Sequence, residues 1–169
     1  LKNNKNLILV IGKTEGHIDQ SVFAINILNE KKGPPPEINL FNEKNNGETV
    51  LKLIEDDLIK SAHDVSLGGI ITAVSKMAIK GKKGFKLNKL KVLINKFDYY
   101  FGEDQGRYVI EIESKSLSKV QKILKDNSVH YDEIGLVTEK DIIIDKEPII
   151  HIDDLIKSNK YWLEDYMDK

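Results

Sequence analysis

The apolar positions of the chain alternate between short continuous runs and the wider spacing of amphipathic helices. Residues 7–12 form an apolar run that ends in glycine, which predicts a buried strand. Apolar residues three and four positions apart predict helices with one buried face. The pattern predicts strands at 7–12, 58–64, 85–94, 107–112, 131–138 and 142–144, the last two as a candidate hairpin, and helices at 19–30, 40–57, 67–80, 117–125 and 153–167.

Turn and capping residues set the limits of these elements. Asp19 is the predicted N-cap of the first helix, and three consecutive prolines at 34–36 predict a rigid extended connection after it. Some strands follow one another without a crossover helix, which disfavours a doubly wound parallel sheet. We therefore predict a single α+β domain over residues 1–169, with a mixed β-sheet and flanking helices.

Composition excludes several classes of protein. The 169 residues include 26 basic and 27 acidic side chains, a formal net charge of −1, which argues against a dedicated nucleic-acid binder. The chain has no cysteine, so disulfide scaffolds, cysteine nucleophiles and thiolate metal sites are excluded. No apolar run approaches the roughly 20 residues of a membrane span, and we expect a cytoplasmic protein. Since Leu1 stands where a methionine would, we also expect a piece of a longer chain.

The sequence lacks two common functional motifs, a phosphate-binding loop and a histidine metal site. Gly12-Lys13-Thr14 follows an apolar strand as in a phosphate-binding loop, but Leu7 occupies the position where that motif needs its first glycine. The four histidines, at positions 17, 63, 130 and 151, show no paired ligand spacing. We therefore predict neither a nucleoside-triphosphate hydrolase nor a histidine metal site.

The stretch His63-Asp64-Val65-Ser66-Leu67-Gly68-Gly69 is the first concentration of candidate chemistry. A strand ends there, a carboxylate and a hydroxyl follow, and two glycines open a helix. Asp64 could supply an oxygen ligand to Mg²⁺ and Ser66 could donate to a phosphate near the helix N-terminus. The alternative is an Asp or Ser N-cap with glycines for tight packing.

The stretch Phe101-Gly102-Glu103-Asp104-Gln105-Gly106-Arg107 is the second concentration of polar groups. It holds two adjacent carboxylates, an amide and the single arginine of a lysine-rich chain. One interpretation is a loop that orders a polar ligand or faces a partner domain. The alternative is an ion pair from Arg107 to Glu103 or Asp104 that fixes a turn.

These motifs resemble the C-terminal domain of the aminoimidazole ribonucleotide synthetase superfamily. The His-Asp-Val-Ser-x-Gly-Gly stretch before an Ala/Met-containing helix is most similar to formylglycinamidine ribonucleotide synthases, also called phosphoribosylformylglycinamidine synthases, in their smaller multi-subunit form. The other matching stretches, in chain order, are Gly12–Gly16 with Gln20-Ser21, Gly33–Pro36, Asn45–Gly47, Phe101–Arg107, Ile134–Val137 and Trp162.

The resemblance implies a partly ferredoxin-like domain, the last one of a multidomain ligase. That family uses ATP, Mg²⁺ and ammonia from a glutaminase subunit, with a small bridging subunit, to convert the amide of formylglycinamide ribonucleotide to an amidine in purine biosynthesis. Its catalytic histidine lies in the first half of the chain, so the resemblance implies that this domain alone is inactive.

The resemblance also implies roles for particular residues. Asp64 resembles a Mg²⁺ ligand and Ser66 a nucleotide-contacting hydroxyl at an auxiliary site, with His63, Gly68 and Gly69 as weaker candidates. Glu103, Asp104 and Gln105 resemble a copy of a substrate-binding loop, and Arg107 belongs to the same ligand or interdomain motif. One departure is Leu67, where the family commonly has aspartate.

Two alternatives to the ligase remain open at this point. The first is another superfamily member, of the selenophosphate synthetase, thiamine-phosphate kinase or hydrogenase-maturation type. The triple proline and the Phe101–Arg107 stretch favour the ligase over these. The second is a stand-alone, non-catalytic interaction module.

Overall fold

A computed structural model describes residues 1–88 and 94–167. The strands are β1 (Leu7–Ile11), β2 (Ile59–Val65), β3 (Gly84–Leu87), β4 (Arg107–Ile112), β5 (Tyr131–Thr138), β6 (Asp141–Ile144) and β7 (Ile150–His151). The helices are α1 (Val22–Asn26), α2 (Leu40–Glu55), α3 (Gly69–Gly81), α4 (Lys96–Phe101), α5 (Leu117–Asp126) and α6 (Ile152–Met167). None of the described helices is both long enough and apolar enough to cross a bilayer.

The described strands form one seven-stranded sheet in the order β2-β4-β1-β5-β3-β6-β7. The β3–β6 pair is parallel and the other pairs are antiparallel, so the predicted mixed sheet with flanking helices is confirmed. The strand pairing also places β1, whose sequence is a continuous apolar run, inside the sheet between β4 and β5.

The candidate hairpin of the last two long strands is wrong, because β3 lies between β5 and β6. The chain leaves β5 at Thr138 and crosses the start of β3 before it enters β6. A Cβ built on Gly84 would lie 2.2 Å from the carbonyl oxygen of Asp141, so only glycine permits this crossing. The close backbone approach at Gly84 thus allows β3 to lie between the two strands.

The sheet is covered on both faces, which explains the unbroken apolar run of β1. Ile8 and Val10 point into one core with α3, and Leu9 and Ile11 point into a second core with α2 and α5. The first core also receives aromatic side chains of α4 and the first apolar residues of α6.

The first helix is much shorter than predicted. It covers Val22–Asn26, and Ser21 rather than Asp19 is its N-cap, with the Ser21 hydroxyl accepting a hydrogen bond from the Ala24 N–H at 3.0 Å. Gln20, just before the cap, has a left-handed φ of 59°, which a helix starting at Asp19 could not contain.

The region after α3 also differs from the prediction. Strand β3 ends at Leu87 rather than at residue 94, and residues 89–93 of the predicted strand lie outside the described residues. Helix α4 was not predicted, since its six residues are too few to display a helical period. The remaining predicted helices agree with the structure within about two residues at each end, the usual uncertainty of helix limits.

Candidate functional site

Glu103 joins the starts of two helices. Its Oε1 atom accepts hydrogen bonds from the backbone N–H groups of Gly68 and Val22, each at 2.8 Å. Val22 is the first residue of α1, and Gly68 is the N-cap residue of α3. A carboxylate at this position complements the positive end of both helix dipoles. The Glu103 side chain is therefore engaged within the domain.

Asp104 and Arg107 form the centre of a buried polar cluster. The Asp104 carboxylate accepts N–H groups of residues 15, 16 and 17 at 3.2, 3.1 and 3.0 Å. Arg107 is 1% exposed and donates to the carbonyl oxygens of Asp104 and Gly102 and to the Thr14 hydroxyl. Burial lowers the pKa of the Arg107 guanidinium, and the nearby Asp104 carboxylate opposes that shift.

Of the two partners considered for Arg107, the structure selects Asp104. Arg107 Nη1 lies 3.4 Å from Asp104 Oδ2, whereas the carboxylate of Glu103 is directed to the helix starts. Gln105 differs from its neighbours, because its side chain is exposed and, within residues 1–88 and 94–167, donates only to the carbonyl oxygen of Glu103, at 3.3 Å. Within this motif, Gln105 is thus the side chain most available to a ligand.

Asp64 and Ser66 project from the end of β2 into solvent. The Asp64 side chain is 65% exposed and lies 3.2 Å from the His63 ring, whose Nδ1 also lies 2.6 Å from the Asp64 carbonyl oxygen. Ser66 is exposed, and its carbonyl oxygen accepts the Gly69 N–H at 3.0 Å. The N-cap of α3 is Gly68, without a side-chain cap, so the alternative of an Asp or Ser cap is wrong.

The two glycines of this motif meet a steric demand. Gly68 and Gly69 have φ values of +82° and +69°, which favour glycine. A Cβ on Gly69 would lie 2.6 Å from the Tyr100 carbonyl oxygen. The start of α3 therefore packs directly on the backbone at the end of α4, next to the Phe101–Arg107 motif.

The region around Asp64 and Ser66 offers few protein ligands for a metal ion. In residues 1–88 and 94–167 there is no group of three or more His, Asp or Glu side chains placed to hold a metal ion. Asp64 offers one carboxylate, and Leu67, which is 67% exposed, adds no oxygen. Mg²⁺ often takes only one or two carboxylates and completes its shell with phosphates and water, so the pair Asp64 and Ser66 fits Mg²⁺ only together with a bound nucleotide.

A cavity of about 880 Å³ lies elsewhere, beside the Phe101–Arg107 motif. It is bounded by the loop after β1, the triple-proline segment, the first turns of α2 and residues 104–106. Asp104 and Gln105 line it, whereas Asp64 and Ser66 do not. Its remaining walls are mostly polar, with amides from α2 and its cap at Asn39, Asn42 and Asn46.

Glu111 was not anticipated from the sequence. Its side chain is fully buried and accepts hydrogen bonds from the N–H groups of Lys2 and Asn3, the Asn6 amide and the Ser61 hydroxyl. The available signal was a glutamate within the apolar sequence of residues 109–112. A carboxylate buried with such neighbours needs hydrogen-bond partners. This site anchors the first residues of the chain to the sheet.

Comparison with known proteins gives the family. The model described as "AIR synthase related protein, C-terminal domain" matches residues 5–146. Phosphoribosylformylglycinamidine synthase subunit PurL of Pelagibacter ubique is 67% identical over 168 residues, which are 99% of this chain and 23% of the relative. The corresponding subunit of Bartonella quintana is 34% identical over 166 residues, 98% of this chain and 22% of the relative. The chain thus spans about a quarter of the length of these relatives.

Solved structures share the fold at low sequence identity. Thermotoga maritima PurL complexed with FGAR has a TM-score of 0.73 at 18% identity, covering 92% of this chain and 28% of that chain. A HypE–HypF complex has a TM-score of 0.59, also at 18% identity, covering 88% of this chain and 52% of that chain. Together with the match over residues 5–146, the seven-stranded mixed sheet shows that this chain belongs to the family of AIR synthase related proteins, C-terminal domain.

Proposed function

We propose that this chain is the last domain of a phosphoribosylformylglycinamidine synthase and is inactive alone. The observation that carries the proposal is the 67% identity to a PurL subunit along 168 residues that make up 23% of that subunit. The enzyme would consume ATP to join glutamine-derived ammonia to formylglycinamide ribonucleotide, giving the amidine. This chain supplies a domain of that enzyme, and the catalytic histidine is expected in the part of the protein outside it.

The fold does not by itself separate this proposal from other superfamily members. HypE–HypF shares the fold at a TM-score of 0.59, whereas the PurL relatives add sequence identity along nearly the whole chain. A stand-alone interaction module is disfavoured for the same reason, since the relatives carry this domain inside a chain about four times longer.

Asp64 and Ser66 are the proposed Mg²⁺ and phosphate contacts of an auxiliary nucleotide site. Their support is that both side chains are exposed at the end of β2, beside the start of α3. When bound, Mg²⁺ would neutralise phosphate charge there. The N–H of Gly68 already donates to Glu103 and that of Gly69 to the Ser66 carbonyl oxygen, so these two glycines offer little to a phosphate. His63, whose ring lies beside Asp64, is proposed as a weaker contact of the same nucleotide.

The Phe101–Arg107 motif is proposed to shape a ligand or interdomain surface rather than to bind through its charges. Glu103, Asp104 and Arg107 hold neighbouring loops, which leaves Gln105 free at the edge of the 880 Å³ cavity. That volume lies in the range of small-molecule sites, about 300–1,000 Å³. A polar ligand or a loop of another domain would meet Gln105 and the α2 amides there.

The proposed partners are the other domains of the same enzyme, the glutaminase subunit and the small bridging subunit. A structure named PurLQS from Thermotoga maritima, to which this chain is similar at a TM-score of 0.69, supports an assembly of this kind. The proposed location is the cytoplasm, where glutamine and ATP are available. No nucleic-acid or membrane partner is proposed.

The test of the proposed function uses a hybrid enzyme. The 168 matching residues of the Pelagibacter ubique subunit are replaced by this chain, and ammonia-dependent formation of the amidine is measured with ATP and formylglycinamide ribonucleotide. The hybrid should turn over, and the chain alone should not. Turnover by the chain alone, or a folded hybrid without activity, would contradict the proposal.

The role of Asp64 is tested in the same hybrid. Asp64→Ala should reduce nucleotide retention or thermal stability while the chemical step keeps most of its rate, because an auxiliary site does not touch the reacting amide. Ser66→Ala should follow the same pattern. Loss of the chemical step at unchanged stability and nucleotide retention would overturn the auxiliary assignment.

A further inference from the structure

Helix α6 carries one apolar stripe along its whole length. Residues three, four and seven positions apart share a helix face. The positions that share this face are Ile152, Leu155, Ile156, Asn159, Trp162, Leu163 and Tyr166, and only Asn159 among them is polar.

The part of the domain that the structure describes covers only the first part of this stripe. Ile152 is fully buried, and Leu155 and Ile156 pack against the core that includes α3. In contrast, Trp162 is 60% exposed, Leu163 51% and Tyr166 70%. We call residues 157–167 the outer half of α6. At 1.5 Å per residue it extends about 16 Å beyond the last covered side chain.

An exposed stripe of this composition requires an explanation. Single exposed apolar residues are common on proteins, but contiguous large ones mark interaction surfaces. Tryptophan and tyrosine are enriched where partners contact each other, because they bury a large area at a small cost in conformational entropy. The chain's single tryptophan is Trp162, and it lies on this stripe.

The extent of the family model and of the matching relative indicates what helix α6 contacts. The family model ends at residue 146, before α6 begins, so the helix is not part of the region that defines the domain family. The alignment with the Pelagibacter ubique subunit covers 99% of this chain and therefore includes α6. The helix is thus shared with a polypeptide of which 77% lies outside the matching region (100% minus 23%).

We infer that the outer half of α6 docks against another part of the same long polypeptide, with Trp162, Leu163 and Tyr166 at the contact. The inference rests on the proposed function, because it takes the longer chain of the relatives as the native context. The inner half of the stripe belongs to this domain and the outer half to its neighbour, so α6 sets the relative position of the two.

Hydrogen–deuterium exchange of residues 157–167 tests the contact directly. The isolated chain is compared with the hybrid subunit, in which this chain replaces its counterpart in the Pelagibacter ubique protein. Exchange in the outer half should be at least about tenfold slower in the hybrid, since docking removes local opening. Equal exchange in both would overturn the inference. Protection of the hybrid that disappears on dilution would identify a second copy as the partner, which would also overturn it.

Variants on the two faces of α6 provide the matched comparison. Trp162→Ser with Leu163→Ser removes the stripe, and Lys157→Ser with Glu164→Ser alters the opposite, charged face. The first pair should abolish the protection and lower the melting temperature of the hybrid, but leave that of the isolated chain unchanged. The second pair should change neither. An equal loss of stability in the isolated chain would mean that the stripe serves this domain and would overturn the inference.

A milder variant covers the case in which the double variant does not fold. Tyr166→Ser alone should weaken the protection of the hybrid by several fold and leave the isolated chain unaffected. Ligase activity is recorded separately. A folded hybrid without activity contradicts the proposed function, whereas an active hybrid with an unprotected α6 contradicts only the docking inference.

Discussion

Arg107 Nη1 lies 3.4 Å from Asp104 Oδ2 in an ion pair that is almost entirely buried. Asp104 accepts the N–H groups of residues 15–17, and Arg107 donates to Thr14 and to the carbonyl oxygen of Gly102. Two residues three positions apart therefore join the loop after β1 to the loop before β4. Both loops border the 880 Å³ cavity, so this pair fixes the shape of that wall.

Replacement of Arg107 should be costly even by lysine. Arg107→Met leaves Asp104 without its cation and should lower the free energy of unfolding by about 3–5 kcal/mol. Arg107→Lys keeps the charge but cannot reach all three acceptors, and we expect a loss of about 1–3 kcal/mol. Urea unfolding measures both. As a control, Lys13→Met removes an exposed ion pair with Glu15 and should leave the unfolding midpoint unchanged. A lysine variant as stable as the wild type would contradict this account.

Local patterns predicted most helices and strands of this fold, because the spacing of apolar residues within an element shows which of its faces is buried. The pattern did not predict the position of β3 in the sheet or the start of α1, because contacts between distant segments determine both. The crossing at Gly84 separates β5 from β6, and the cap at Ser21 together with the Glu103 carboxylate fixes where α1 begins. Gly84 and Ser21 are visible in the sequence, but the segments that they contact lie far along the chain, at Asp141 and Glu103.

In the candidate sites, too, the sequence indicated local features but not contacts between distant residues. The sequence singled out the Phe101–Arg107 motif and Arg107 in particular, since one arginine among lysines implies a need for its planar fork of donors. It did not indicate that Glu103 holds the starts of α1 and α3, or that Glu111 binds the first residues of the chain. Those partners lie 35 to 109 positions away along the chain, beyond the range of any local pattern.

Glu111 should control the attachment of the N-terminal segment. Glu111→Gln replaces an acceptor by an amide whose N–H₂ faces other donors, and we expect a loss of about 2–3 kcal/mol in the free energy of unfolding. Limited proteolysis should cleave within residues 1–6 of the variant before the wild type is cut. The neighbouring Glu113→Gln, which alters only a pairing with Lys115 at the surface, is the control and should leave both measurements unchanged. Equal protease resistance of the Glu111 variant and the wild type would refute the anchoring role.

Because Tyr100 is buried, we expect the free energy of unfolding to fall at alkaline pH. Burial, assisted by the Asp145 carboxylate, raises the pKa of the Tyr100 phenol to about 12, and burial raises that of Tyr99 in the same direction. The unfolded phenol has a pKa of about 10, so the unfolded chain loses its proton first as the pH rises. The stabilising contribution is complete below about pH 10 and is lost between about pH 10 and 12.

The comparison of wild type with Tyr100→Phe measures this effect. The free energy of unfolding of the variant should fall less steeply between about pH 10 and 12. Phenolate absorbance supplies a second measurement, because the chain has six tyrosines and those in urea should all titrate near pH 10, about their ordinary value. If the alkaline limbs of the native and unfolded titrations coincide, the burial of Tyr100 does not have this consequence.

Leu67 offers a test of the proposed Mg²⁺-nucleotide site at the end of β2. It is 67% exposed and stands between Ser66 and Gly68, directly after the proposed phosphate contact. Leu67→Asp would add a second carboxylate near Asp64, and Mg²⁺ at a phosphate site commonly uses one or two. In the hybrid subunit we expect Mg²⁺-dependent ATP binding to become about tenfold tighter, because a second carboxylate adds an oxygen ligand and negative charge at the ion.

The control for this prediction is Leu67→Asn, which has nearly the same shape as aspartate without its charge and should leave ATP affinity at the wild-type level. Titration calorimetry with and without Mg²⁺ separates a metal effect from a general change of the loop. Combining Leu67→Asp with Asp64→Ala should return the affinity to the wild-type level or below, since the two carboxylates would share one ion. Equal gains for Asp and Asn, or a gain that persists without Mg²⁺, would show that the new side chain acts on the loop and not on a metal.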